Sequence, residues 1–208
     1  QISYNETYIY LTLLLNADID YDISEMMIGI DTYQRNDGEY FYDANYYANS
    51  QSGMEYVIKF ESKTSAALYV SRHYNRNLGN YATAESYAAE YDLVSSLRYG
   101  NFTVSNTHFY QAGVTVHIRI PWAMLNFTDP ANALVVSGAE DSVIKTTVTD
   151  GMIFSVLVGN KESMDTVYIF PESKKSAGYK RLEPKPWTAA DISYVIRPKE
   201  SAVVIGRY

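Results

Sequence analysis

A chain of 208 residues, 47% of them hydrophobic, is long enough to bury a sizeable core. A formal net charge of −7 runs against the clustered Lys and Arg that a phosphate backbone requires, so nucleic acid is not expected as a partner. No apolar run approaches the ~20 residues that span a bilayer, which argues against membrane insertion by this segment, and the lack of cysteine excludes disulfides and thiolate metal sites.

Short strand-like runs follow one another along the chain: Tyr8–Leu15, Met26–Ile30, Tyr56–Phe60, Ala67–Val70, Val114–Ile120, Ala133–Val136, Val143–Val148, Met152–Val158, Thr166–Phe170, Ser193–Ile196 and Ala202–Ile205. They are rich in Val, Ile, Tyr and Thr and are separated by Asn, Asp, Gly and Ser. This predicts an all-β protein, an antiparallel two-sheet β-sandwich of jelly-roll type with one or two short helices. The best strand pattern is Val114–Ile120, where Val114, Val116, Ile118 and Ile120 alternate with Thr115, His117 and Arg119 on the wetter face. Pro121 ends its ladder, and Trp122, Met124, Leu125 and Phe127 supply an apolar plug. Met152–Val158 is apolar almost throughout, as expected of a central strand covered on both faces. The one helical pattern is Thr83–Tyr91, with a single further turn at Ala123–Phe127, and Lys174–Pro186 reads as a long surface loop. No repeat or linker divides residues 1–208, which read as one domain, the C-terminal part of a longer polypeptide because the chain opens directly into ISYNETYIYLTLLL.

No GxSxG elbow, phosphate-cradling glycine loop or HExxH occurs, and His73, His108 and His117 share no metal-ligand spacing, so the segment is not expected to be an enzyme. In the loop NADIDYD, Asp18, Asp20 and Asp22 alternate as hard oxygen ligands do, which makes them candidates for a structural calcium. The EF-hand pattern itself fails, with Ile23 where Gly is required and Gly29 where the twelfth-position acid belongs; the plain reading is a solvated Asx loop. Between Tyr33 and Tyr47 tyrosines mix with Asp, Asn, Arg and Glu, a composition suited to stacking on pyranose rings and bonding their hydroxyls, although the same rings also suit cover for a core edge. Tyr74, Tyr81, Tyr87 and Tyr91 form a second set, and Trp187 follows two prolines. The candidate carbohydrate-binding residues are Tyr40, Tyr42, Tyr81, Tyr87 and Trp187. Glycosylation sequons begin at Asn5, Asn101 and Asn126.

Three segments carry a family resemblance. Thr7–Leu15, Met26–Thr32 (MMIGIDT) and Val116–Pro130, which ends a strand in an Ile-Pro-Trp turn followed by NFTDP, resemble the superfamily of family 9 carbohydrate-binding modules and DOMON-like β-sandwiches, in a branch of uncharacterised extracellular bacterial proteins. The similarity covers roughly residues 7–158. It implies an extracellular or cell-surface accessory domain, attached to polysaccharide-active enzymes, that binds polysaccharide or oligosaccharide and in some members calcium. Where those modules clamp sugar with paired tryptophans, this chain has two tryptophans, one of them in the turn. The DOMON branch also holds haem binders, but His and Met here show no axial-pair arrangement. The alternative reading is a structural domain that packs against a neighbouring catalytic domain and takes no small ligand.

Overall fold

A computed structural model describes residues 1–33, 38–48, 53–77, 90–104, 106–140, 143–170 and 178–181. In chain order the strands are β1 (Ile2–Tyr4), β2 (Tyr8–Leu14), β3 (Ser24–Asp31), β4 (Tyr56–Ser62), β5 (Ser65–Ser71), β6 (Tyr91–Leu97), β7 (Phe109–Ala112), β8 (Thr115–Pro121), β9 (Phe127–Asp129), β10 (Leu134–Glu140), β11 (Val143–Val148), β12 (Gly151–Asn160), β13 (Thr166–Phe170) and β14 (Gly178–Arg181). One short helix, α1 (Arg72–Asn77), follows β5. The strands form three antiparallel sheets ordered β1-β2-β8-β7, β11-β10-β9 and β13-β12-β3-β4-β5-β6, the last also carrying β14 beside β12. The architecture is the expected all-β sandwich.

Alternation dictates which side chains meet. Ile9 and Leu11 of β2, with Val116, Ile118 and Ile120 of β8, face Met26, Ile28 and Ile30 of β3 and Ile58 and Phe60 of β4 in one core, to which β10 adds Val135. Every residue of β12 from Gly151 to Gly159 is buried, because β3 lies on one side and β13 and β14 share the other. The outer face of the large sheet is covered as well. Tyr42, Tyr46, Ala48 and Met54 pack on Met27, Val57 and Leu157, with the Tyr46 ring directly over Gly159, where a Cβ would not fit.

The Ile-Pro-Trp turn is a packing device. Residues Trp122–Leu125 form a single 3-10 turn, closed by Asn126 in the left-handed region at φ 56°, a conformation that Asn tolerates better than most side chains. The Trp122 ring is buried against Tyr4 and Phe127, and its indole Nε1 donates to the Asn5 carbonyl at 2.8 Å.

Several local expectations are corrected. A helix not expected from the sequence lies at α1, where the buried Ser71 hydroxyl accepts from the amides of His73 and Tyr74 as an N-cap, and Tyr91, expected to end a helix, opens strand β6. Residues 83–89 of the expected helix are outside the described residues, as are the runs at 193–196 and 202–205. Within the expected loop Lys174–Pro186, Gly178–Arg181 pairs with Gly151–Phe154 as a strand. Arg119, expected on a wet face, is only 7% exposed.

Candidate functional site

The outward positions of the four-stranded sheet carry a row of rings. Register sets Tyr10 opposite Arg119, and Thr12 and Tyr110 on either side of His117. Tyr8, Tyr10, Phe102, Tyr110 and His117 are all half-buried, each keeping part of its ring in solvent. Tyr8 meets Tyr10 at 6.0 Å between centroids, Tyr10 meets Phe102 at 6.1 Å and Phe102 meets Tyr110 at 5.0 Å, all edge to face. Tyr110 then stacks on His117 at 4.5 Å. Polar groups punctuate the row: Asn5 Nδ2 donates to the Tyr10 hydroxyl at 3.0 Å, and Thr12 Oγ1 lies 3.5 Å from His117 Nδ1.

Arg119 holds this face together from beneath. Its guanidinium donates to the carbonyls of Thr107 (2.7 Å), Val104 (2.7 Å) and Phe102 (3.3 Å) and to the Thr107 hydroxyl (3.0 Å). It also lies 4.6 Å from the Phe102 ring centroid and 5.0 Å from that of Tyr8. Residues 98–104 and 106–107 are thereby pinned over the sheet edge, and Asn101 Oδ1 tightens the turn by accepting from the Thr103 amide. The Tyr8 and Phe102 rings are likewise held in place by contacts within the protein itself. Nearby, His108 Nδ1 accepts from the Arg98 amide at 2.9 Å, and burial, reinforced by the charges of Arg98 and Arg119, lowers its pKa to about 4.

Those of the residues singled out in sequence that the structure describes fall elsewhere. Tyr42 is fully buried under the cover of the large sheet, and burial raises its hydroxyl well above the ordinary tyrosine range, so it cannot stack on a sugar. Tyr40 is half-buried in the same segment; Phe41 and Tyr47, an edge-to-face pair at 5.0 Å, are the more exposed rings there. Tyr81, Tyr87 and Trp187 lie outside the described residues. Asp18, Asp20 and Asp22 line an open recess of about 500 Å³ together with Lys63, whose ammonium sits on the Asp18 carboxylate where a cation would be needed. Asp18 also accepts from Gln111, while Asp20 caps its own turn by accepting from the Asp22 amide. Among the described residues no group of three or more His, Asp or Glu side chains is set to hold a metal ion.

Two other features stand out. At one edge of the covered face Glu55 is completely buried next to buried Asp31; the strand register places them opposite one another, one step beyond the Ile30–Tyr56 pair. Glu55 Oε2 accepts from the Thr32 amide and hydroxyl, and burial together with the Asp31 charge raises its pKa well above the ordinary value. The second is an apolar groove of about 630 Å³ between the end of β2 and β13, rimmed by the exposed side chains of Leu14, Ile23, Val167, Tyr168 and Phe170.

The ring row was present in the sequence as the off-core parity of two strands, Tyr8-Tyr10-Thr12 and Thr115-His117-Arg119, but Phe102 and Tyr110 join it only through tertiary contact. No protein-family model matches the chain, and no curated protein or solved structure matches it.

Proposed function

We propose that the protein is a non-catalytic accessory domain of a secreted or cell-surface protein and binds carbohydrate on the outer face of the β1-β2-β8-β7 sheet. The observation that supports this reading is the ordered row Tyr8, Tyr10, Phe102, Tyr110 and His117, with hydroxyl and amide groups at its margins. Aromatic rings take up the apolar faces of pyranoses, and the flanking Thr12 and Asn5 groups are of the kind that bond sugar hydroxyls. Affinity electrophoresis in gels containing soluble plant, algal and bacterial polysaccharides tests it. Tyr10→Ala and Tyr110→Ala should each weaken retention about tenfold without altering the melting temperature. Unchanged retention in both variants, or no retention of the parent by any polymer, would defeat the reading.

A second reading, docking against a neighbouring domain, is favoured by the apolar groove, where Leu14 is 77% and Val167 65% exposed. Val167→Asp would then disrupt association with the rest of the polypeptide and leave glycan retention unchanged.

A further inference from the structure

The strands beneath the ring row carry no negative charge in a chain with 24 Asp and Glu residues. Acids border them at Glu6, in the β1–β2 turn, and at Asp18, which is bonded to Gln111 of β7 and paired with Lys63. None of the strands β1, β2, β7 and β8 contains Asp or Glu, and no acidic residue occurs anywhere from Leu93 to Thr128. The same region contains Arg98 and Arg119. Arg119 is buried beneath the Tyr8 and Phe102 rings, and its guanidinium is met by three carbonyls and a hydroxyl, dipoles that solvate the charge without cancelling it. Among the described residues neither Arg119 nor the exposed Arg98 has a carboxylate within ion-pair distance. Elsewhere among the described residues several cations are matched with carboxylates: Lys63 with Asp18, Lys59 with Asp43, and Arg72 with Glu90 and Asp92.

A fixed positive charge under a low-dielectric layer of rings projects its field outward, because little water lies between to screen it. A neutral glycan gains nothing from that field. A glycan bearing carboxylates or sulfates gains attraction as its rings stack, and meets no acid on these strands to repel it. Nucleic acid would be drawn by the same sign of charge, but tight phosphate binding needs several accessible Lys and Arg, and here the buried Arg119 cannot reach a backbone phosphate.

We propose, resting on the carbohydrate-binding reading above, that the ligand of this face is an acidic glycan, recognised by stacking on Tyr10, Phe102 and Tyr110 within the field of Arg119 and Arg98. The test compares the intact protein on polygalacturonate, dextran sulfate, a neutral β-glucan and single-stranded oligothymidine, at about 0.05 M and about 0.5 M NaCl. One or both acidic polymers should bind at least about tenfold more tightly than the β-glucan, and the added salt should remove most of that advantage. Which polymer is preferred separates carboxylate from sulfate recognition. Arg98→Gln should weaken acidic-polymer binding about fivefold and leave β-glucan binding unchanged. Arg119→Lys, which keeps the charge but not the fork, should retain the salt dependence if it folds. Equal or tighter binding of β-glucan would overturn the acidic-ligand assignment while leaving the carbohydrate reading intact. Binding to no glycan would overturn both, and preference for oligothymidine would overturn this assignment in favour of a nucleic-acid surface.

Discussion

The Arg119 guanidinium lies 4.6 Å from the Phe102 ring centroid and donates to the Phe102 carbonyl, so one side chain fixes both the backbone and the ring of a segment it meets 17 residues upstream. Replacing it by Met would leave the buried Thr107 carbonyl without its guanidinium donor and would remove the bonds that hold the Phe102 and Val104 carbonyls. Arg119→Met should therefore cost about 2–4 kcal/mol in urea unfolding, and segment 98–107 should become the first site of limited proteolysis. An unchanged cleavage pattern would show that the loop holds itself.

Trp122 combines ring burial with one hydrogen bond, and two substitutions separate them. Trp122→Ala should cost about 3–5 kcal/mol, since the ring fills the space between Tyr4 and Phe127. Trp122→Phe keeps most of the ring and loses the bond to the Asn5 carbonyl, for a cost of about 1–2 kcal/mol. Equal losses in the two variants, measured by chemical denaturation, would contradict this division.

Glu55 makes stability depend on pH in an identifiable direction. Its pKa in the folded protein is raised above the ordinary 4.5, so the folded state holds the proton more tightly than the unfolded chain. Its contribution is complete below about pH 4.5 and is lost as pH rises towards the folded value. Glu55→Gln removes that titration. The variant's stability relative to the parent should rise with pH above about 4.5, by up to about 1.4 kcal/mol per unit, whatever the constant offset from burying an amide. A flat difference from pH 4 to 8 would mean that Glu55 is not proton-bound in the fold.

His108 works with the opposite sign. Its folded pKa is lowered from 6.5 to about 4, so the unfolded chain takes up the proton first on acidification. The stability it supports is present above pH 6.5 and is lost as pH falls towards 4. Proton NMR should show the His108 ring titrating near pH 4, and His108→Gln should lessen the loss of stability between pH 6.5 and 4. A His108 midpoint near 6.5 would refute the burial argument.

Gly159 leaves room for the Tyr46 ring that closes the outer face of the large sheet. Gly159→Ala should displace that ring and break the bond from the Tyr46 hydroxyl to the Asn160 carbonyl, at a cost of about 1–3 kcal/mol. Hydrogen exchange over residues 38–48 should accelerate in the variant while exchange in β2 and β8 stays slow.

Local pattern alone was enough for the fold class and for much of the core. Val116, Ile118 and Ile120 alternate without exception, Met152–Val158 is apolar but for Ser155, and Trp122 follows a strand-ending proline; each is a nearest-neighbour property written along the chain. The short strands β1, β7, β9 and β14 were not legible, because three or four residues carry too little periodicity and form only when a partner supplies the ladder. The placement of the tyrosines was decided by tertiary structure for a similar reason. Tyrosine composition cannot say which side of a sheet a ring will cover: Tyr42 was drawn under the cover of the large sheet, whereas Tyr8 and Tyr10 were left outside by their parity on β2. The acidic loop likewise looked like a cation site until Lys63, 45 residues away in the chain, arrived at Asp18. Alternation determines which residues are apolar neighbours along a strand. Only the pairing of distant strands determines which charges and rings meet, because those contacts depend on register between segments that share no local sequence.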